Sequence, residues 1–237
     1  MPNPLQPKPG PQLLAAHAKD LGCGFMVRRM LPAGPRQAVG PFVFFDHFGP
    51  VSVTPADNHG LQLWLALPQA EQEVKASFAH TPAHAIPEVR DGDAQVRVLV
   101  GQALGAQSPV VTVSPTLYLD ALLPAGGQWT LPMLADEQAV YGVQGDLHID
   151  AQALAPHTMA VLSDAAVLTA GPEGARLVVI GGQPLGRRFI WWNFVSTSKE
   201  RIEQAGRDWT AGDARVGMGQ VPGETERIPL PESKGNA

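Results

Sequence analysis

"PFVFFDHFGPVSVTPADNHGLQLWLALP", Pro41 to Pro68, holds two strand signatures and an abrupt join between them. On one side, "AVGPFVFFD" from Ala38 to Asp46 is rich in the aromatic and β-branched residues that suit a pleated, half-buried surface. On the other, Leu61, Leu63, Leu65 and Leu67 recur at every second residue, so they share one face of a strand. Working outward, the same rhythm continues. "FMVRRML" (Phe25 to Leu31) precedes the stretch, and "AQVRVLVG" follows it with Val96, Val98 and Val100 on one face. "SPVVTVSPTLYLDALL", "QWTLPM", "QAVYGVQGDLHID", "TMAVLS", "AAVLTA" and "ARLVVIGG" add further short strands. The 25 glycines and 23 prolines punctuate them. Many short strands with turn signals between them predict an all-β sandwich or barrel.

One segment breaks the rhythm. "STSKERIEQAGRDWTAG" opens with Thr197-Ser198-Lys199-Glu200, a capping box with Thr197 as N-cap and Glu200 reaching back. Ile202, Ala205 and Trp209 then fall on one helical face. The pattern predicts one helix over residues 197–212, ending at Gly212. The Pro-rich residues 1–20 lack periodicity and read as a flexible arm, and 232–237 as a disordered tail.

With 237 residues the chain can bury a sizeable core without cross-links. Its single cysteine, Cys23, excludes an intrachain disulfide and a Cys-based zinc site. A net charge of −5 with scattered basic pairs, Arg28-Arg29 and Arg187-Arg188, argues against direct nucleic-acid binding. There is no apolar run of membrane-spanning length and no signal-peptide stretch at the opening, so a cytoplasmic protein without membrane association is expected.

"GPFVFFDHFGPV", "HGLQLWLALP", "SPTLYLDALLPAG", "ARLVVIGGQPLG" and "FIWWNFVSTSKERIEQAGRDWTAG" together resemble the pirin family over nearly the whole chain. The resemblance implies a bicupin, two β-barrel domains in tandem. It places a pirin-type amino-terminal cupin, here truncated, at 21–105 and a carboxy-terminal cupin at 106–231. It also implies iron in the first cupin of intact members, held by three histidines and a glutamate. Quercetin dioxygenase-like activity in some members and protein partners of the transcription-factor kind are implied as well. The family pattern places a His-x-His segment after "DHFGP" and a His-x-Glu segment before "HGLQLW". Here "DHFGPVSVTPADN" runs directly into "HGLQLW", and neither spacing occurs anywhere in the chain. No family ligand carries over, so no cofactor is expected.

Asp46, His47 and His59 flank the join and are the candidate metal ligands, since non-haem iron needs imidazole and carboxylate donors that converge from strands. The alternative is that Asp46 and His47 shape a loop by hydrogen bonding. His80 and His84 have helical ligand spacing, but Pro82 between them opposes a helix. His148 and His157 belong to the second half, where Gly145 marks the turn of "YGVQGDLHID". His17 sits in the arm. No Gly-x-Ser-x-Gly elbow is present, Cys23 has no evident partner, and "GGQPLG" fits no phosphate-loop spacing. Trp191, Trp192 and Phe194 read as packing residues.

Three functions follow as expectations: an iron dioxygenase, a metal-free binding or regulatory protein, and an internally deleted vestige. Loss of barrel strands exposes sheet edges. The first half is therefore expected to persist as a small sheet docked on the second cupin and the helix, either as a monomer or as an edge-paired homodimer.

Overall fold

The computed structural model describes residues 10–20, 26–53, 56–212, 214–216, 218–219, 223 and 226–231, with the backbone alone at 50–53, 56–59 and 216. Cys23 and the tail 232–237 lie outside them. Contacts divide the chain into two units, Met1–Leu65 with His80–Leu185, and Ala66–Ala79 with Gly186–Ala237. Among the described residues no helix is long and apolar enough to cross a membrane.

The first unit is built of strands apart from one short 3-10 turn at Ala83–Ala85. Its strands are β1 (Gln12–Ala15), β2 (His17–Asp20), β3 (Met26–Leu31), β4 (Phe42–Val53), β5 (Ala56–Leu65), β6 (Glu88–Asp91), β7 (Ala94–Val100), β8 (Gln102–Ala103) and β9 (Ala106–Gln107). They continue with β10 (Thr116–Leu123), β11 (Gln128–Leu131), β12 (Glu137–Gln144), β13 (Leu147–Ile149), β14 (Gln152–Leu154), β15 (Thr158–Leu162), β16 (Ala166–Ala170) and β17 (Ala175–Gly182). A seven-stranded sheet runs β1-β15-β12-β17-β10-β7-β6, a four-stranded sheet β11-β16-β13-β14, and a second four-stranded sheet β2-β3-β4-β5. None of the three orders closes into a barrel; the architecture is a sandwich of open sheets.

The seven-stranded sheet is apolar on both faces. Val96, Leu119, Leu177 and Val179 join Trp129 and Leu168 of the β11-β16-β13-β14 sheet in one core. Tyr141, Met159, Val178 and Ile180 join Met30, Phe42 and Phe45 of the β2-β5 sheet in another. Strand alternation accounts for the division, because successive residues of β17 and β10 point to opposite faces. The β2-β3-β4-β5 sheet stacks on this face of the seven-stranded sheet. The alternation in β5 is kept at Leu61 and Leu63, which pack against this second core, whereas Leu65 is exposed at the strand end.

One sequence-based reading is corrected, and one boundary crosses a sheet. Residues 12–20 are not an arm: β1 pairs antiparallel with β15, and Leu14 is fully buried, so one apolar side chain and a ladder of backbone bonds hold it. The domain boundary drawn at 105 falls inside one sheet, because β7 pairs with β10 and Ala94, Val96 and Val98 fill the second half's core. Gly145 does turn the chain with φ +76°, and an added Cβ there would collide with the Gly174 carbonyl oxygen.

The second unit contains the hairpin β18 (Phe189–Trp191) and β19 (Phe194–Ser196), followed by helix α1 (Lys199–Ala211). Trp192 turns the hairpin with φ +51° and meets Trp209 of the helix edge to face at 5.1 Å. Ile202 and Ala205 are the buried stripe, and Gly212 closes the helix in the left-handed conformation. The N-cap is Ser198 rather than Thr197: its Oγ accepts from the Arg201 N–H, while Thr197 Oγ1 accepts from Gln72 Nε2. The helix groups with its own hairpin and residues 66–79.

Candidate functional site

His47 and Asp46 are neighbours on β4, so they face opposite ways. His47 points into the core shared with the seven-stranded sheet. Its Nδ1 lies 2.7 Å from the Tyr141 hydroxyl of β12, and both residues are buried. His157, in the turn between β14 and β15, holds φ +62° and donates its backbone N–H to the Gly142 carbonyl. Its Nδ1 approaches the same Tyr141 hydroxyl at 3.4 Å, and the two imidazoles lie 4.9 Å apart between centroids. A phenol can donate to one imidazole and accept from the other, so the three form a polar island at the edge of an apolar core. Burial pushes the Tyr141 hydroxyl well above its ordinary pKa, with a smaller opposing pull from Arg28.

Asp46, on the other face, is committed to Arg29 through two bonds of 2.8 and 2.7 Å, and the guanidinium lies 4.3 Å over the Phe44 ring. Phe44 in turn stacks on Trp64 at 4.1 Å. His59 lies on β5 one residue before Gly60, which pairs with Phe48, and its side chain is outside the description. The structure therefore does not bring Asp46 and His47 together. It pairs His47 with His157 instead, a partner more than a hundred residues away that no local spacing announces. His17, His80, His84 and His148 are exposed.

Beyond His47 the same face of the seven-stranded sheet turns polar. A cavity of about 220 Å³ opens there. Asp120 of β10 takes two bonds of 2.9 Å from Arg176 of β17, and Arg97 of β7 stands 4.0 Å from the same carboxylate. Tyr118 joins them on β10; burial first, and then Asp120, drive its hydroxyl pKa up against a smaller opposing effect of Arg176. Leu61, Leu99, Val143 and Val178 form the apolar part of the lining. The signal for this group was present in the sequence. Arg97, Asp120 and Arg176 are charges inside otherwise apolar strands, at positions that alternate with core residues.

Iron of the implied kind needs a third imidazole and a carboxylate converging with two imidazoles. Among the described residues the donors do not converge in that way. His47 and His157 both direct Nδ1 to a neutral phenol, the Asp46 carboxylate is on the opposite face, and no group of three or more such donors converges among the described residues.

Sheet stacking and strand content define a β-sandwich of the cupin class. Residues 118–215 match the pirin carboxy-terminal cupin domain. A pirin-like protein of Caulobacter vibrioides is 32% identical over 92% of this chain and 98% of its own length. The chain belongs to the pirin family. Human pirin is 36% identical over 66% of this chain and 56% of its own. A solved quercetin 2,3-dioxygenase of Acinetobacter baumannii shares the fold with a TM-score of 0.85 at 22% identity, over 96% of this chain and 97% of that one. The Caulobacter alignment spans 285 positions although this chain has 237 residues, so at least 48 positions of the relative face gaps here.

Proposed function

We propose that this protein is a pirin-family binding or regulatory protein that works without the family's iron. The observation that carries the reading is the divergence at Asp46 and His47: one is spent on Arg29, the other on Tyr141. Among the described residues neither is presented to a common point with a third donor. The chain also lacks the His-x-His and His-x-Glu spacings. We place the alignment gaps at the Pro50–His59 join, where the family pattern would carry those segments. The carboxy-terminal cupin and its packed inner face remain for ligand or partner binding.

The solved quercetin 2,3-dioxygenase of the same fold favours a second reading, iron-dependent oxygenation of a flavonol. One experiment separates the two. The purified protein is loaded with ferrous iron under anaerobic conditions, freed of loose metal by gel filtration, assayed for iron and then for oxygen uptake with quercetin. The expected result is less than about a tenth of an equivalent of iron, as for an unfilled site, and no uptake. Near one equivalent, lost in His47→Ala, with quercetin-dependent uptake, overturns the metal-free reading.

A further inference from the structure

We propose that the cavity beside His47 binds a small organic carboxylate, with Arg97 as its charge partner. The proposal rests on the metal-free reading, since it takes the cavity itself as the anchor.

Charge is the first argument. Two guanidinium groups face one carboxylate, and Arg176 already occupies both oxygens of Asp120. Arg97 is left with a single 4.0 Å ion pair to that same carboxylate. Glu88 stands opposite Arg97 in the β6–β7 register but accepts from Gln95 Nε2 instead. The cavity therefore holds one positive charge beyond what its own carboxylate balances, on a residue suited to bidentate carboxylate recognition.

Shape is the second. Leu61, Leu99, Val143 and Val178 offer an apolar wall next to that charge, and Tyr118, held neutral, adds a phenolic hydroxyl. A charged end beside an apolar wall fits an amphipathic anion better than inorganic phosphate or sulfate. At about 220 Å³ the space lies below the roughly 300 Å³ at which drug-sized ligand sites begin. It suits one ring or a short chain carrying a carboxylate, and not a three-ring flavonol.

The test uses the metal-stripped 237-residue chain, sodium benzoate as probe and benzamide as its neutral counterpart. Binding is read by calorimetry and by methyl shifts of Leu61, Leu99, Val143 and Val178. We expect saturable benzoate binding with shifts confined to those methyls, and binding weaker by about tenfold or more for benzamide and for Arg97→Gln. The methyl map in the unaltered protein keeps the test independent of whether the variant folds. Equal binding of benzamide, shifts elsewhere, or no binding in protein whose iron content stays below a tenth of an equivalent overturns the cavity assignment and leaves the metal-free reading standing. Benzoate binding that appears only after ferrous loading overturns the metal-free reading itself.

Discussion

At the scale of single residues, Asp46 and His47 show how one strand position separates two roles. The Asp46 carboxylate is fully buried and its Arg29 partner is 19% exposed. Removing one member of such a pair leaves the other charge without compensation. Asp46→Ala is therefore expected to destabilise by about 3 kcal/mol, read as a lowered urea midpoint. A shift below about 0.5 kcal/mol would place the pair with ordinary surface bridges. The two tyrosines are the only ones in the chain, and both hydroxyls are driven above the ordinary value of 10.0 by burial. A raised phenol favours the folded state while it is neutral. That stability is complete below the unfolded value of 10.0 and is lost as pH rises through the higher folded values. Absorbance at the phenolate band should stay flat through the ordinary range and rise only as the protein unfolds; titration of either tyrosine near pH 10 in folded protein would contradict the burial argument. At this scale the sequence made the buried leucines and valines legible through alternation. It hid the His47–Tyr141–His157 island, because its members are joined by no local spacing and only sheet stacking brings them together.

At the scale of elements, helix α1 was legible from its stripe and its stop at Gly212, yet its start was misplaced by one residue. Thr197 and Ser198 both carry hydroxyls, and the spacing to Glu200 favours the first. The structure uses Ser198, whose Oγ also donates to Glu200 Oε2, and gives Thr197 to Gln72. Ser198→Ala should therefore cost about 1 kcal/mol of stability, measured by thermal melting followed at a helical wavelength. Thr197→Ala should cost less, since it forfeits one half-buried side-chain bond. The reverse order would restore Thr197 as the cap. The strands with clear alternation were legible, but their neighbours were not, and β1 was missed altogether: it pairs with β15 across most of the chain, and no pattern within "QLLA" marks it as a strand or names that partner.

At the scale of the whole molecule, the all-β class and the family were legible, whereas the pairing of strands between the two halves was not. A strand such as β7 has the same alternation whichever sheet it joins, and only pairing with β10 assigns it. The seven-stranded sheet, apolar on both faces, has a consequence for how its strands are aligned. In an ordinary sheet a slip by one residue moves apolar side chains into water and is rejected. In β17 the same slip would exchange Val179 for Ile180, one apolar residue for another, and the penalty nearly vanishes. Something other than hydrophobicity must then mark the frame. The Arg176–Asp120 fork does so, because only one frame lets a guanidinium on β17 meet a carboxylate on β10 in this way. Replacing both by apolar residues should leave the melting temperature nearly unchanged while splitting amide resonances of β10 and β17 into more than one set. A single set would mean the frame is fixed elsewhere. The ion pair thus acts as a reading-frame mark for a strand that chemistry alone would let slide.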